Sequence, residues 1–401
     1  MERSARPPDQ LRGTRAIVDL DVIAANVRAV AAFASGGAQV VAVVKANAYG
    51  HGAPWVARAA LDGGAGMLAV ATVDEGRQLR AAGITAPILV MGPIGEQEAP
   101  AAVAASLAVA IGRMEQAVAL AAAARVGHAP APIDLHVKID TGMRRWGCAP
   151  EAAAGLVAAV AALDGVRLAG VMTHFACADD ADEAVTRDAA ALFDKTLAEI
   201  SATGLAVPMR HAANSAAGMR STRYHYDAIR LGISLYGAPP SPDVPLLPGM
   251  RLALQVVSHV ARLIDLDPGD RVSYGGTYGA QRRERAALFP IGYADGYRRA
   301  LSNRGWFAHG DVVLPVRGRV CMDQTIAGVP DEAVLAMGDE VVVMAAQPGV
   351  APTALELAAM LDTIPYEIFT SLGARIPRIY LHGGVPVGMH DLSGPTSFQD
   401  R

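Results

Sequence analysis

Eight short runs rich in β-branched residues recur between residues 39 and 230, and alanine- and leucine-rich stretches with helical spacing separate most of them. The runs cover 39–44, 67–71, 87–91, 107–111, 133–139, 168–173, 207–211 and 228–230. Helical stretches include 73–82, 113–125 and 182–203. Strands alternating with helices favour a parallel sheet joined by helical crossovers, and eight such units suit a (β/α)8 TIM barrel. A doubly wound sheet would give the same local signals, but no G-x-G-x-x-G opens a helix after the first run. Asp21 is placed to cap the first helix, 22–34.

Beyond residue 240 the texture changes. The proline-rich stretch "GAPPSPDVPLLPG" is a boundary. Strand-like runs follow at 254–264, 271–274, 285–291, 312–316 and 340–344, with one helix near 354–361. The chain therefore divides into a barrel over 1–240, a mostly-β C-terminal domain over 241–381, and a glycine-rich polar tail over 382–401, expected to be loosely held. A length of 401 residues suits two domains.

Bulk properties exclude several classes of function. Net charge is −4 with no basic stripe, which excludes nucleic acid as an expected partner. Arg282, Arg283 and Arg285 are interrupted by Glu284 and read as a solvated loop. Apolar segments such as 152–163 are too short to span a bilayer, and no apolar stretch follows the N-terminal arginines as a secretory signal requires. Cys148, Cys177 and Cys321 are too scattered for a disulfide framework or a metal site, so a cytoplasmic setting without a metal is expected.

Chemistry in a barrel gathers at the carboxyl ends of its strands. The stretch "VVAVVKANAYGHG" drives an apolar strand straight into Lys45. Desolvation at such a rim presses an ammonium to lose its proton, which is one way to make a nucleophilic amine. Lys138, His174, His211 and Arg230 end later strands at the same side. One such residue is usually structural; five converging on one rim point to a site. The loops after the seventh and eighth strands carry Ser215, Gly232 and Ile233, where barrels often hold phosphate. Gly232 lets backbone approach an anion, while Ser215 either caps a helix or donates to a phosphate oxygen. A rim lysine with a phosphate cradle suits pyridoxal 5'-phosphate, and a Schiff-base aldolase acting on a sugar phosphate needs the same two parts.

The stretches "AVVKANAYGHG", "KIDTGMRRWG", "THFACAD", "AANSAA", "RLGISLYG", "VSYGGTY", "IGYADGYRR", "GRVCMDQ" and "TIPYEIFTSLGARIPRIY" occur in the order of the alanine racemase family, which the chain resembles from about residue 17 to 380. The resemblance implies a cytoplasmic, pyridoxal phosphate-dependent isomerase that interconverts L- and D-alanine by two bases and supplies D-alanine for peptidoglycan. It implies a barrel with a C-terminal β domain, the first strand (16–20) packing with the latter, in a head-to-tail homodimer.

Position by position, the resemblance makes Lys45 the Schiff-base lysine and one base, and makes Tyr274, from the partner subunit, the other. Tyr49, Ser215, Gly232, Ile233 and Tyr366 would hold the phosphate. Arg230 would face the pyridine nitrogen, with His174 linking it to Tyr274. Arg145 would bind the substrate carboxylate, supported by Lys138, which in this family can carry a carbamate, and by the backbone amide of the partner's Met322. Asp323 and Tyr293 would sit near the entrance.

Each residue also has a plainer reading: rim aromatics for Tyr49 and Tyr366, turn packing for Tyr293, core filler for Met322, a turn for Asp323, pairing with Asp140 for Lys138 and Arg145. His211 reads as packing and His51 as a loop-shaping residue. Arg230 argues against related decarboxylases, which place a carboxylate at that nitrogen. A non-catalytic pyridoxal phosphate carrier would leave the β domain without purpose, and a broader-specificity racemase, for example of serine, is the alternative kept. Arg144 and Trp146 stand where glycine and leucine are frequent, and Pro365 is a tolerated variant.

Overall fold

The structure, a computed structural model, describes residues 12–127 and 132–398. Contacts divide the chain into two compact units: Ile23–Ala48 with Ala53–Met250, and Met1–Val22 with Tyr49–Gly52 and Arg251–Arg401.

In the first unit eight parallel strands lie in the order Arg210–His211, Val166–Met172, Ile133–Lys138, Ala108–Ile111, Ile88–Val90, Met67–Val70, Gln39–Val43, Ala228–Leu231. The backbone bonds Asp227 N–H to Arg210 O (2.9 Å) and Arg230 N–H to Ala213 O (3.1 Å) join the two end strands, so the sheet closes into the expected barrel. Burial on both faces explains the continuous apolar runs: every residue of Met67–Val70, Ile88–Val90 and Ala108–Ile111 is buried. Helices Val73–Ala81, Met114–Val126 and Ala184–Ala202 occupy the expected crossovers. Truncating Leu68 or Leu135, both at 0% exposure, would cost about 2–5 kcal/mol.

The second unit is mostly β. Its large sheet runs Val312–Pro315, Trp306–His309, Glu340–Met344, Leu254–His259, Arg15–Asp19, Arg378–His382, Val385–Asp391, Gly394–Ser397. Arg15–Asp19 lies antiparallel to Leu254–His259 and parallel to Arg378–His382. A three-stranded sheet, Arg262–Leu266, Glu284–Phe289 and Thr325–Val329, and the short ribbon Arg271–Val272 with Tyr278–Gly279 complete it.

Some sequence expectations are corrected. Residues 382–398 are not a loose tail: glycine supplies the hairpin turns while Val387 and Met389 point into the core, and both last strands are paired. The run 254–264 is two strands belonging to different sheets. The first helix is Leu20–Phe33, capped by Asp19, whose carboxylate accepts Val22 N–H at 3.1 Å; Asp21 instead meets Gly383 N–H (2.6 Å) and His382 (2.7 Å). Among the described residues no helix is long and apolar enough to cross a membrane.

Candidate active site

At the carboxyl end of the barrel the chain does something costly. After the strand Gln39–Val43, residues Ala46, Asn47, Ala48 and Tyr49 all take left-handed backbone angles, φ 50–53°. Each non-glycine residue held there costs roughly 1–2 kcal/mol. The turn is closed by Ala48 N–H on Val44 O (2.8 Å), and Asn47 Oδ1 accepts Ala53 N–H at 2.9 Å. Glu75 anchors it from the neighbouring strand–helix junction: Oε1 accepts Ala46 N–H at 2.6 Å, while Oε2 accepts Ala71 N–H at 2.7 Å and Thr72 N–H at 3.2 Å. Thr72 in turn caps Glu75 N–H, a reciprocal capping box. This strained turn begins at Lys45. Burial lowers the Lys45 pKa, the Arg145 guanidinium lowers it further, and Glu75 opposes both.

Lys138 ends its strand at 2% exposure. Its ammonium donates to Trp146 O and stands 4.6 Å from the Trp146 ring centroid, a cation–π contact. Burial and then Arg145 push its pKa down to about 8. The pairing with Asp140 allowed by the sequence is not formed; Asp140 accepts Gly142 N–H and Arg144 N–H, each at 3.0 Å, and so shapes a loop in which Arg144 is left-handed at φ 54°. Arg145 is exposed and, among the described residues, has neither ion pair nor hydrogen bond. Its field reaches Lys45, Lys138, His174 and Arg230.

Arg230 is buried and held on both terminal nitrogens. Nη1 donates to His211 Nδ1 and His211 O, both at 3.0 Å; Nη2 donates to Thr173 O (2.7 Å), Ala212 O (2.8 Å) and His174 Nδ1 (3.1 Å). None of these bonds uses Nε. Burial and Arg145 lower its pKa to about 9, which leaves it charged at neutral pH. A guanidinium cannot accept a hydrogen bond, so His174 and His211 must both accept at Nδ1 and carry their protons on Nε2. His211 Nε2–H then donates to His136 Nδ1 at 2.9 Å, which puts the His136 proton on its own Nε2. Burial and the Arg230 charge keep all three rings neutral, His136 down to about 4. Gly170 makes the room; a Cβ there would lie 2.5 Å from His136 Nδ1. His211, read from sequence as packing, thus grips Arg230 directly.

The phosphate-type loops are arranged differently from the expectation in one respect. Asn214, not Ser215, caps the turn Ser215–Arg220, accepting Ala217 N–H at 3.0 Å. Ser215 Oγ accepts Gly232 N–H at 2.8 Å, so that amide is spoken for within the chain. This leaves the Ser215 hydroxyl proton and the Ile233 N–H, which no hydrogen bond among the described residues uses.

The remaining candidates lie in the β unit. Tyr49 packs its ring at 5.9 Å from Tyr366, and burial followed by Tyr366 raises its pKa, so the phenol stays a donor. His51 Nδ1 meets Tyr49 O at 3.0 Å and its ring packs edge-on to Phe369. Tyr274 is 71% exposed, an unusual position for a tyrosine that follows a left-handed Ser273 (φ 63°) pinned by Oγ on Arg319 O at 2.6 Å. Met322 is 52% exposed. Tyr293 lines a groove of about 610 Å³ with Arg298, Arg299 and Glu367. Asp323 pairs with Arg375 at 2.7 Å.

Glu75, His136 and Asp295 were not anticipated. Glu75 had a readable signal, the Thr72-x-x-Glu75 capping pattern. The other two have none, because the side chains they bind are distant in sequence.

The alanine racemase N-terminal domain model matches residues 18–240 and the alanine racemase C-terminal domain model matches 253–380. The chain is 43% identical over 379 residues to the alanine racemase of Symbiobacterium thermophilum, covering 93% of this chain and 98% of the relative. It is 40% identical over 364 residues to that of Desulfovibrio desulfuricans, covering 91% and 97%. Among solved structures it superposes on the Bacillus anthracis alanine racemase with bound L-Ala-P at a TM-score of 0.88, with 34% identity and coverage of 96% and 99%. The Streptomyces lavendulae alanine racemase also gives 0.88, with 36% identity and coverage of 94% and 98%. With both domain models matched in order and relatives of this identity spanning nearly the whole sequence, the chain belongs to the alanine racemase family.

Proposed function

We propose that this chain interconverts L- and D-alanine with pyridoxal 5'-phosphate as cofactor, in the cytoplasm, as a homodimer, supplying D-alanine for peptidoglycan. The observation that carries the reading is the gathering of Lys45, Lys138, Arg145, His174 and Arg230 at one end of the barrel, with the Lys45 amine depressed. The donors fit the cofactor. Lys45 would hold its aldehyde carbon. The Ser215 hydroxyl and the Ile233 N–H, with the phenols of Tyr49 and Tyr366, would hold its phosphate; Gly232 would contribute through the backbone turn it forms with Ser215. The unclaimed Nε of Arg230 would face the pyridine nitrogen. When bound, the cofactor supplies an electron sink for the carbon that loses its proton.

The rest is work for the chain's own side chains. Lys45 Nζ takes or returns the α-proton on one face of the substrate, and the phenol of Tyr274 of the partner subunit does so on the other. A lysine ordinarily titrates near ~10 and must be shifted down to act near neutrality. Burial and then Arg145 shift the Lys45 amine in that direction, against Glu75. The phenol of Tyr274 of the partner subunit would be oriented by a hydrogen bond from the Nε2–H of His174, whose Nδ1 is taken by Arg230. The exposure of Tyr274 and Met322 in the single chain supports their use by a second copy. Arg230 stays charged and cannot accept a hydrogen bond, so it would not hold a proton on the pyridine nitrogen, a setting that would favour return of the proton over side reactions. Arg145 meets the substrate carboxylate, joined by the amide of the partner's Met322, with Lys138 behind it; Tyr293 and Asp323 lie near the entrance, and narrow access past Tyr293 and Tyr366 favours alanine.

Incubating the purified protein with separate L-amino acids and assaying the D-enantiomers tests the reading. Alanine should be converted fastest; conversion of another amino acid in preference, or of none, would overturn it.

A further inference from the structure

Asp295 is the one carboxylate among the described residues whose whole residue is buried, at 0% exposure. A charge so placed has to be matched. Its Oδ1 accepts Arg12 Nη1 and Arg375 Nε, each at 2.7 Å, and its Oδ2 accepts Gly292 N–H at 3.0 Å. Arg12 also donates to Arg375 O at 2.9 Å and to Pro290 O at 3.1 Å. Arg375 reaches onward with Nη2 to Asp323 Oδ1 at 2.7 Å and to Met322 O at 3.5 Å. The buried carboxylate therefore stands at the root of a chain of charged bonds ending on the loop that carries Met322.

A second connection runs through backbone. The turn Gly292–Asp295 lays Tyr293 N–H on Cys321 O and Ala294 N–H on Met322 O, both at 3.0 Å. The approach is so close that a Cβ on Gly292 would lie 2.3 Å from Cys321 O and 2.4 Å from Met322 O. The peptide bond is planar and trans, so the Cys321 carbonyl and the Met322 N–H of one peptide unit point in opposite directions. Binding that carbonyl through Tyr293 N–H aims the Met322 N–H the other way. No hydrogen bond among the described residues uses it. The peptide is clamped by its acceptor end and presents its donor end.

We infer that Asp295, acting through the Gly292–Asp295 turn and Arg375, is the positioning residue that presents the Met322 amide to a carboxylate anion. This rests on the reading above in which the amide of the partner's Met322 receives the substrate carboxylate, and it assigns to a residue that never touches substrate the geometry of that contact. A looser turn would let the amide wander while leaving the lysine, the phosphate loops and Arg230 as they are, since these lie on other segments.

The test uses the holoenzyme with propionate as probe, a carboxylate that lacks the amine. Asp295→Asn should raise KM for alanine and weaken competitive inhibition by propionate, each about tenfold, the loss of one hydrogen bond to a charged group. KM should rise more than kcat falls, and competition by ethylamine, which lacks the carboxylate, should be unaltered. Should Asp295→Asn fail to fold, Arg375→Lys, at a half-buried site, keeps the charge beside Asp295 but loses the second arm; it should weaken propionate about threefold. Unchanged propionate inhibition in a folded variant overturns the inference. If propionate does not compete with alanine in the unaltered enzyme, the carboxylate reading itself fails first.

Discussion

Replacing Glu75 with alanine removes the anchor of the left-handed turn that begins at Lys45. The carboxylate makes two short charge-assisted bonds, to Ala46 N–H (2.6 Å) and Ala71 N–H (2.7 Å), and half of a capping box with Thr72. The box is worth about 1 kcal/mol, and each charged bond about 1.5–3 kcal/mol when sheltered, less at the exposed Ala46 amide. A local loss of about 2–4 kcal/mol follows, against a turn that stores roughly 1–2 kcal/mol in each of its left-handed residues. Hydrogen exchange reads it. Ala48 N–H, whose bond to Val44 O closes the turn, should exchange about 30- to 1000-fold faster, at 1.4 kcal/mol per tenfold. Amides of the helix Val73–Ala81, which lose only a cap, should accelerate about fivefold. Activity should fall with the turn. The second substitution Ala46→Gly, which removes the left-handed penalty at one position, should restore about 1 kcal/mol of the protection. If Ala48 keeps its protection while Val73–Ala81 frays, Glu75 is a helix cap and nothing more, and the proposed support of Lys45 is wrong.

Other outcomes follow from the same geometry. Arg144→Gly, at φ 54°, should stabilise the loop before Arg145 by about 0.5–1 kcal/mol in thermal or urea unfolding; no gain would mean the loop is unstrained. Nitrogen-15 spectra should show His174, His211 and His136 as neutral Nε2–H tautomers at neutral pH; a charged or Nδ1–H ring at 211 would break the donor chain from Arg230. Burial raises the Asp295 carboxyl, but hydrogen bonds from Arg12, Arg375 and Gly292 outweigh it, and its folded pKa lies below the ordinary value. Its contribution to stability should be complete above about pH 5 and lost as pH falls through the folded pKa, so Asp295→Asn should flatten the acid limb of an unfolding profile. A lysine at about pKa 8 keeps part of its amine neutral at pH 7, so Lys138 should take up carbon dioxide in bicarbonate, read as the added mass on that peptide and absent in Lys138→Arg.

Much of the barrel was legible because its strands are buried on both faces and therefore apolar throughout, so the polar residues ending five of the eight strands stood out. Lys45, Lys138, His174, His211 and Arg230 were found that way. The left-handed turn was not, because Ala46 and Ala48 carry no preference for it; tertiary bonds from Glu75 and Asn47 impose it. The strand Trp306–His309 and the strands after Arg378 were missed although each pairs with its neighbour in sequence, because a polar, glycine-containing stretch resembles a loop or tail until its hairpins are seen. Asp21, read as the cap of the first helix, gives that role to Asp19 and instead meets His382, more than three hundred residues on. Asp295 is in the same position: its meaning depends on Arg12 and Arg375, 283 and 80 residues away.

The central claim is that Lys45 of one copy and Tyr274 of another serve a single substrate carbon. Mixing the inactive variants Lys45→Ala and Tyr274→Phe, unfolding the dimers gently and letting them reassociate tests it without any structural knowledge. In a two-fold dimer the hybrid has one site with both groups intact, so the mixture should recover about a quarter of the unaltered activity at random pairing. A mixture that stays inactive although hybrids form would mean that both groups are needed from the same chain, and the shared site would be wrong.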